Sequence, residues 1–223
     1  MGASVPAGSL VRTGEERATL VRRTYSLVFV SVLVTMFGAS FGLSQPALLQ
    51  AVAQHPFISF LCVLAPLLLA TRTKAMFPAN IGLVLLFTFA MGVLISPALF
   101  FYGRTQPGLI SQAAGLTVGA FGILTIYAFV SRRDFSAWRS FFVVGLWTLI
   151  GTMFVNFFFH NQTADLWIAS ATVLVFSGLL VADTWRLRNV FGPDDYVMAA
   201  VQIYLDLLNM FMAILRILGG RRS

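Results

Sequence analysis

The sequence predicts an all-α membrane protein built as a bundle of seven transmembrane helices. Of its 223 residues, 58% are hydrophobic and only 10% are charged, whereas a soluble domain carries about 25% charged residues. The mean hydropathy is +0.86. The apolar residues form seven runs separated by short polar loops, which are too many for a signal peptide followed by a soluble domain.

Each element of the prediction follows from the length of its apolar run. A helix rises 1.5 Å per residue, so about 20 apolar residues cross a hydrocarbon core of roughly 30 Å. The predicted spans cover residues 24–44, 56–71, 79–100, 108–130, 138–159, 164–185 and 195–218. The chain then consists of an N-terminal segment (1–23), a transmembrane domain (24–218) and a short basic tail (219–223).

The basic residues predict which side of the membrane each loop occupies. Eleven of the 15 Lys and Arg residues lie before the first span or beside the loops that follow spans two, four and six. Because basic loops stay in the cytoplasm, we expect a cytoplasmic N-terminus. Seven spans place the C-terminus outside, although it carries Arg216, Arg221 and Arg222. The early charges outnumber these three. The basic residues as a whole are scattered over many loops, which also argues against nucleic-acid binding.

Small residues predict where helices approach closely. Gly38 and Gly42 stand four apart in span one, and Gly115, Gly119 and Gly122 form a stripe in span four. Such spacing lets helix backbones pack together, here within the bundle or across a dimer face. The single cysteine, Cys62, lies in an apolar run and is expected to be a small buried side chain rather than a reactive thiol.

Two aspartates inside apolar runs are the main functional candidates. Asp206 lies about 16 Å into the last span, where a carboxylate costs at least about 2.5 kcal/mol and normally faces the bundle interior with a partner. Asp183 lies in the preceding span, about one turn from its cytoplasmic end, so both acids occupy the same half of the membrane. Possible partners are Tyr204, Asn209 and Arg72.

Two carboxylates in contact favour proton sensing. They cannot easily both ionise, so the pair titrates as a unit. When both are ionised they repel each other or bind a hard cation such as Ca²⁺ through their oxygens. Asp183 and Asp206 are therefore predicted to form a pH sensor on an ion pathway, and their oxygens are candidate Ca²⁺ ligands. The alternative is structural: a hydrogen-bonded pair, or a contact with Asn or Arg, that only pins helices.

Four segments resemble the transmembrane Bax inhibitor-1 motif family. The final stretch, AAVQIYLDLLNMFMAILRILGGRRS, resembles its C-terminal signature, and FSGLLVADTWRL resembles its F-S-G-x-x-x-x-D-T-Q-x-x segment. SRRDFS and GVLISPALFFYG also fit. The resemblance covers spans three to seven, while the first 75 residues match in layout only. Trp185 departs from the pattern, since the family usually has Gln there.

The resemblance implies a fold and an activity. It implies seven helices with the last one central, and a pH-sensitive Ca²⁺ leak in which Asp183 and Asp206 match the family's di-aspartyl sensor. Arg72 is carried over without a motif around it to support the match. Animal members inhibit cell death at the endoplasmic reticulum, and a similar bacterial member associates with a membrane-embedded quality-control protease. The arginine-rich composition and short loops favour a bacterial protein of the inner (plasma) membrane.

The sequence is compatible with three functions. The leading expectation is a pH-sensitive Ca²⁺ leak channel in the lipid bilayer, moving Ca²⁺ and protons without a cofactor. The second is a modulator of a membrane protease complex that uses the polar N-terminal segment as its contact. The third is an intramembrane aspartyl protease, in which paired aspartates activate a water. Those proteases carry G-x-G-D, whereas no glycine precedes Asp206 here, so we do not expect an enzyme.

Overall fold

The computed structural model describes residues 14–72, 78–159 and 161–220, and the side chains of all of these except residues 71 and 72. Every regular element in these ranges is helical. The α-helices are α1 (Gly14–Ser44), α2 (Pro46–Gln54), α3 (Pro56–Arg72), α4 (Ala79–Thr105), α5 (Leu109–Val130), α6 (Ser136–Phe159), α7 (Gln162–Asn189) and α8 (Tyr196–Gly220). A 3-10 turn, Pro193–Asp195, precedes α8.

Two prolines explain the break between α1, α2 and α3. A residue before proline avoids the α conformation because the pyrrolidine ring clashes with it. Gln45 precedes Pro46 and adopts φ −115°, ψ 93°, and His55 precedes Pro56 and adopts φ −125°, ψ 58°. Proline then occupies the first position of the next helix, where its missing N–H is not needed. The axes of α2 and α3 differ by 103°.

Six of the described helices are long and apolar enough to cross a membrane, and the bent pair α2–α3 is the seventh candidate. The ends of the helices show how the pair runs. Arg22 near the start of α1, Ala70 near the end of α3 and Tyr196 at the start of α8 line one cavity. We call this end of the bundle the near face. Since α3 ends there, the pair α2–α3 returns the chain across the bundle, which makes seven crossings.

The opposite end, the far face, holds the ends of α4, α6 and α8 together with the start of α7. Gln106, Asn156, Asp165 and Gly220 line a second cavity there. Helix α8 therefore runs from the near face to the far face, so the two ends of the described chain lie on opposite faces. The bundle has the seven-span layout that the sequence predicts.

The last helix occupies the centre of the bundle. Helix α8 packs against α1, α4, α5 and α7, while α3 and α6 pack mainly on α4 and α7. Its most apolar stretch is 56% buried, against 6% for α6. A helix buried on most of its sides cannot hide a polar group on a solvated face. Asp206, near the middle of α8, is therefore held inside the protein.

Helices α1 and α4 make the closest crossing. The backbone of Gly38 lies against Phe89, and that of Gly92 against Thr35 and Ala39, so neither glycine has room for a side chain. Further along α4, Pro97 has no N–H for the carbonyl of Val93. Ser96 Oγ donates to that carbonyl at 2.7 Å instead. The predicted packing role of the glycines in span one is thus confirmed.

Two smaller predictions, on packing within the chain, are wrong. A side chain added at Gly115, Gly119 or Gly122 of α5 would meet no other atom within 4 Å, so this stripe does not pack inside the chain, and its alternative role at a dimer face stays a prediction. Cys62 is exposed on α3 rather than buried. Both errors arise because hydropathy identifies a span but not which of its sides faces lipid. The described helix α1 also begins ten residues before the predicted first span, so residues 14–23 continue that helix.

Candidate functional site

Asp206 lies on the central helix, about 15 Å along α8 from Tyr196. Only 4% of the residue is exposed. Its Oδ2 atom is enclosed, and no hydrogen-bond partner for it exists within the described residues. A buried polar atom without a partner destabilises the fold, because it loses its hydration without gaining a hydrogen bond. Such an atom in a native fold calls for an explanation, such as a bound proton, water or ion.

Asp183 lies on the neighbouring helix α7, six residues before its end, and is also buried. Its Oδ1 atom accepts a hydrogen bond from Arg139 Nε of α6 at 3.0 Å. Arg186 Nη1, one turn along α7, lies 3.4 Å from the same oxygen. Asp183 thus holds two charge-assisted contacts, which stabilise a buried carboxylate far more than neutral ones.

A polar chain links the two aspartates. Arg186 Nη1 also donates to Gln202 Oε1 of α8 at 3.2 Å, and Gln202 stands one helical turn before Asp206. Asp206 interacts electrostatically with both Asp183 and Arg139. Two buried acids and two partly exposed arginines from α6, α7 and α8 therefore form one formally neutral cluster. We call these four residues and Gln202 the aspartate cluster.

Two of the three predicted partners of the aspartates, Tyr204 and Asn209, make other contacts. The Tyr204 hydroxyl lies 2.7 Å from Thr35 Oγ1 of α1. Tyr204 is two residues before Asp206, and side chains two residues apart on a helix point about 200° away from each other. Tyr204 therefore lies on the side of α8 away from Asp206. Asn209 Nδ2 donates to the Leu205 carbonyl of its own helix at 2.7 Å. Arg72 ends α3, and its side chain lies outside the described residues.

Arg139, Arg186 and Gln202 were missed by the sequence reasoning. Arg186 follows Asp183 by three residues, which on a helix is a local and readable signal. Gln202 precedes Asp206 by four residues and is equally readable. Arg139 lies 44 residues before Asp183. A basic residue at the end of a span is also explained by membrane topology alone, so the sequence does not single it out. The structural alternative, an Asp–Arg contact, is thus present among the described side chains, with Arg139 and Arg186.

The cluster does not form a resident metal site by itself. Within the described ranges, no group of three or more His, Cys, Asp or Glu side chains stands close enough to hold a metal ion. Ca²⁺ takes six to eight oxygens, whereas this cluster offers two carboxylates, one of them already bound by arginines. Its chemistry suits transient binding of a proton or a passing cation.

The second charged feature lies at the far face. Arg216 Nη1 of α8 stands 3.5 Å from Asp165 Oδ1 of α7, beside the cavity of about 1070 Å³ that these residues help to line. Gln106 Nε2 donates to the Gly219 carbonyl at 3.0 Å. Asp206, Ala213 and Arg216 follow each other at helical spacing on α8. Arg216 lies about 15 Å beyond Asp206 along α8, towards the far face, and about 80° around the helix from it.

Comparisons with known proteins agree with this architecture. A family model described as inhibitor of apoptosis-promoting Bax1 matches residues 17–223. A membrane protein of Vibrio cholerae is 34% identical over 218 residues, 95% of this chain and 93% of that protein. Bax inhibitor 1 of Schizosaccharomyces pombe is 32% identical over 208 residues, 91% and 77% respectively. Protein lifeguard 4 of Mus musculus is 31% identical over 205 residues, 91% and 85%. None of these three relatives is named as an enzyme. The chain is thus a multi-pass integral membrane protein and belongs to the Bax inhibitor-1 family.

Proposed function

We propose that this protein is a pH-sensitive Ca²⁺ leak channel whose sensor is the pair Asp183 and Asp206. The observation that carries the proposal is the unpartnered Oδ2 of Asp206, a buried carboxylate that interacts electrostatically with the buried carboxylate of Asp183 on α7. A mid-membrane acid that only pinned helices would have its oxygens satisfied. Ionisable groups inside a membrane bundle typically mark ion or proton routes.

The two aspartates take different roles in this proposal. Arg139 and Arg186 neutralise Asp183, so Asp206 is the member that exchanges its proton. With Asp206 protonated, the cluster holds α6, α7 and α8 together and the path is closed. When Asp206 loses its proton, it repels Asp183 and attracts Arg139. The contact between Arg139 and Asp183 then weakens, and the cluster admits a cation. A change of state needs this kind of difference in binding between two arrangements.

The test is Ca²⁺ entry into proteoliposomes that contain the purified full chain, measured at pH 6 and pH 8. Wild type should conduct more at pH 8. Asp206→Asn cannot ionise, so its flux should be the same at both pH values. Asp183→Asn leaves Arg139 and Arg186 without their shared carboxylate and should raise the flux at pH 6. Glu15→Gln, an acid-to-amide change in the first turn of α1, is the matched control.

Two results would refute the channel. One is wild-type flux no higher than that of empty liposomes at either pH. The other is an unchanged pH profile in Asp206→Asn and in the double variant Asp183→Asn with Asp206→Asn. In either case the aspartate cluster would serve only to join three helices.

The remaining expectations extend the proposal. We place the protein in a bacterial inner membrane with the near face in the cytoplasm, because most basic residues gather there.

Modulation of a membrane protease through the N-terminal segment stays a prediction; residues 1–13 of that segment lie outside the described residues. Deleting residues 1–20 should then change protease turnover and leave Ca²⁺ flux intact. A non-enzymatic role is part of the proposal, and cleavage of a membrane substrate that depended on Asp206 would contradict it.

A further inference from the structure

A large cavity at the near face is separate from the aspartate cluster. It measures about 1060 Å³ and lies between α1, α3, α4 and the start of α8. Neither Asp183 nor Asp206 is among the residues that line it. Its lining divides into two zones. The mouth carries charged side chains, and the deeper part carries aliphatic ones such as Leu27, Val30 and Leu67.

Two neighbouring arginines of α1 form one side of the mouth. Arg22 and Arg23 are both exposed, and neither forms an ion pair with a described carboxylate. The Arg23 guanidinium lies 5.9 Å from the centre of the Tyr196 ring, so its charge stays available at the rim. Guanidinium groups bind phosphate through paired, charge-assisted hydrogen bonds. These arginines therefore suit a phosphate at the membrane surface.

Two aspartates of the 3-10 turn before α8 form the other side. Asp195 Oδ2 accepts a hydrogen bond from the Gly192 N–H at 2.8 Å. Among the described residues neither Asp194 nor Asp195 is in an ion pair. A purely anionic ligand would be attracted by the arginines and repelled by these carboxylates. A ligand with a phosphate and a nearby ammonium satisfies both sides at once.

The aliphatic zone decides between a soluble zwitterion and a lipid. It continues inward from the charged mouth along α1 and α3, and Val30 at its edge is 40% exposed. A small soluble molecule would leave this surface uncovered, whereas an acyl chain covers it. A phospholipid presents its headgroup and its chain in this order at a membrane surface.

We propose that this cavity binds one phospholipid with an ammonium-bearing headgroup, of the phosphatidylethanolamine type. Its phosphate lies at Arg22 and Arg23, its ammonium at Asp194 and Asp195, and one acyl chain lies along Leu27, Val30 and Leu67. A primary ammonium donates three hydrogen bonds, whereas a choline group donates none. The site therefore selects phosphatidylethanolamine over phosphatidylcholine with the same chains.

Native mass spectrometry of the delipidated full chain tests this binding. The chain is titrated with phosphatidylethanolamine, phosphatidylcholine and phosphatidylglycerol of identical acyl chains. We expect one phosphatidylethanolamine to be retained at a concentration about tenfold below that needed for phosphatidylcholine. The double variant Arg22→Gln with Arg23→Gln should lose this retention. Asp194→Asn should bring phosphatidylethanolamine down to the level of phosphatidylcholine. Arg17→Gln, an exposed arginine of α1 outside the cavity lining, should bind as wild type does.

Several outcomes would overturn the proposal. Equal retention of all three lipids by the wild-type chain would mean unselective annular lipid, and this comparison does not depend on any variant folding. Preferred binding of phosphatidylglycerol, strengthened by Asp194→Asn, would mean a site for anionic lipid. Full competition by glycerophosphoethanolamine, which has the headgroup without the chains, would mean a site for a soluble zwitterion.

Discussion

Arg139 is the residue that ties the outer helix α6 to the aspartate cluster. Its side chain is about one-third exposed, whereas that of Asp183 is almost fully buried. An ion pair with one exposed partner contributes little to stability, about 1 kcal/mol or less. Its importance lies in position, because Asp206 interacts electrostatically with the same arginine. The contact between Arg139 and Asp183 is thus weak enough to break when the charge of Asp206 changes.

The first prediction follows from this weak contact. Arg139→Gln removes the charge that bridges both aspartates, so the closed arrangement loses its link to α6. If that link is worth about 1 kcal/mol, Ca²⁺ flux at pH 6 should rise about fivefold towards the value at pH 8. Arg139→Lys keeps the charge without the planar fork and should fall between the two. The measurement is the same proteoliposome flux.

Arg132→Gln is the matched control for this prediction. Arg132 is exposed in the loop between α5 and α6, and its loss removes the same charge from the same face. Its flux and pH profile should equal those of wild type. If Arg139→Gln behaved like Arg132→Gln at both pH values, the bridge would have no role in gating.

The residues of the site were predictable to different degrees. Asp206 and Asp183 stand out because an acid in an apolar run has no ordinary explanation. Arg139 does not stand out, since a basic residue at the end of a span is what membrane topology requires. Tyr204 and Asn209 looked like partners by proximity along the chain. The direction in which each side chain points on α8 excludes Tyr204, and a bond to its own helix occupies the Asn209 amide.

At the scale of elements, the crossing of α1 and α4 is the tightest packing between helices. A Cβ atom on Gly92 would overlap the Thr35 carbonyl oxygen and lie 2.7 Å from the Ala39 nitrogen. Both are backbone atoms, so neither can turn aside as a side chain would. Small residues allow such close approach, and membrane helices rely on it because lipid supplies no hydrophobic drive between them.

The second prediction tests this crossing. Gly92→Ala forces α1 and α4 apart and should cost about 1–3 kcal/mol, the usual range for overpacking. The thermal unfolding midpoint of the detergent-solubilised chain should fall by several degrees. Gly119→Ala is the control, because the added methyl group would meet no atom within 4 Å. Equal unfolding midpoints for the two variants would show that the crossing tolerates a side chain.

The elements themselves were largely predictable, with one exception. The long helices coincide with the predicted spans, because hydropathy reports burial in lipid directly. Helix α2 was not predicted, since its nine residues are too few to cross a membrane. A local signal existed in Pro46 and Pro56, which begin two successive helices. Hydropathy also does not report which side of a helix faces lipid, so it could not predict that the glycines of α5 face away from the bundle.

At the scale of the whole molecule, the positions of the helix ends indicate whether the number of membrane crossings is even or odd, which the composition leaves open. Basic residues at both ends of the chain favour two cytoplasmic termini, which requires an even number of crossings. The structure instead has the end of α3 at the near face, beside the start of α1. The bent pair α2–α3 is therefore a crossing, and the number of crossings is odd. Arg216 is retained at the far face, where Asp165 neutralises it.

The third prediction places the two termini on opposite sides of the membrane. A reporter fused before Met1 should be active only in the cytoplasm, and one fused after Ser223 should be active only on the outer side. Asp165→Asn removes the neutralising partner of Arg216, so the tail then presents uncompensated positive charge to the outer side. Because positive charge resists export, this variant should give a mixed signal at the C-terminal reporter. Cytoplasmic activity of both fusions in the unaltered chain would mean that α2–α3 re-enters without crossing.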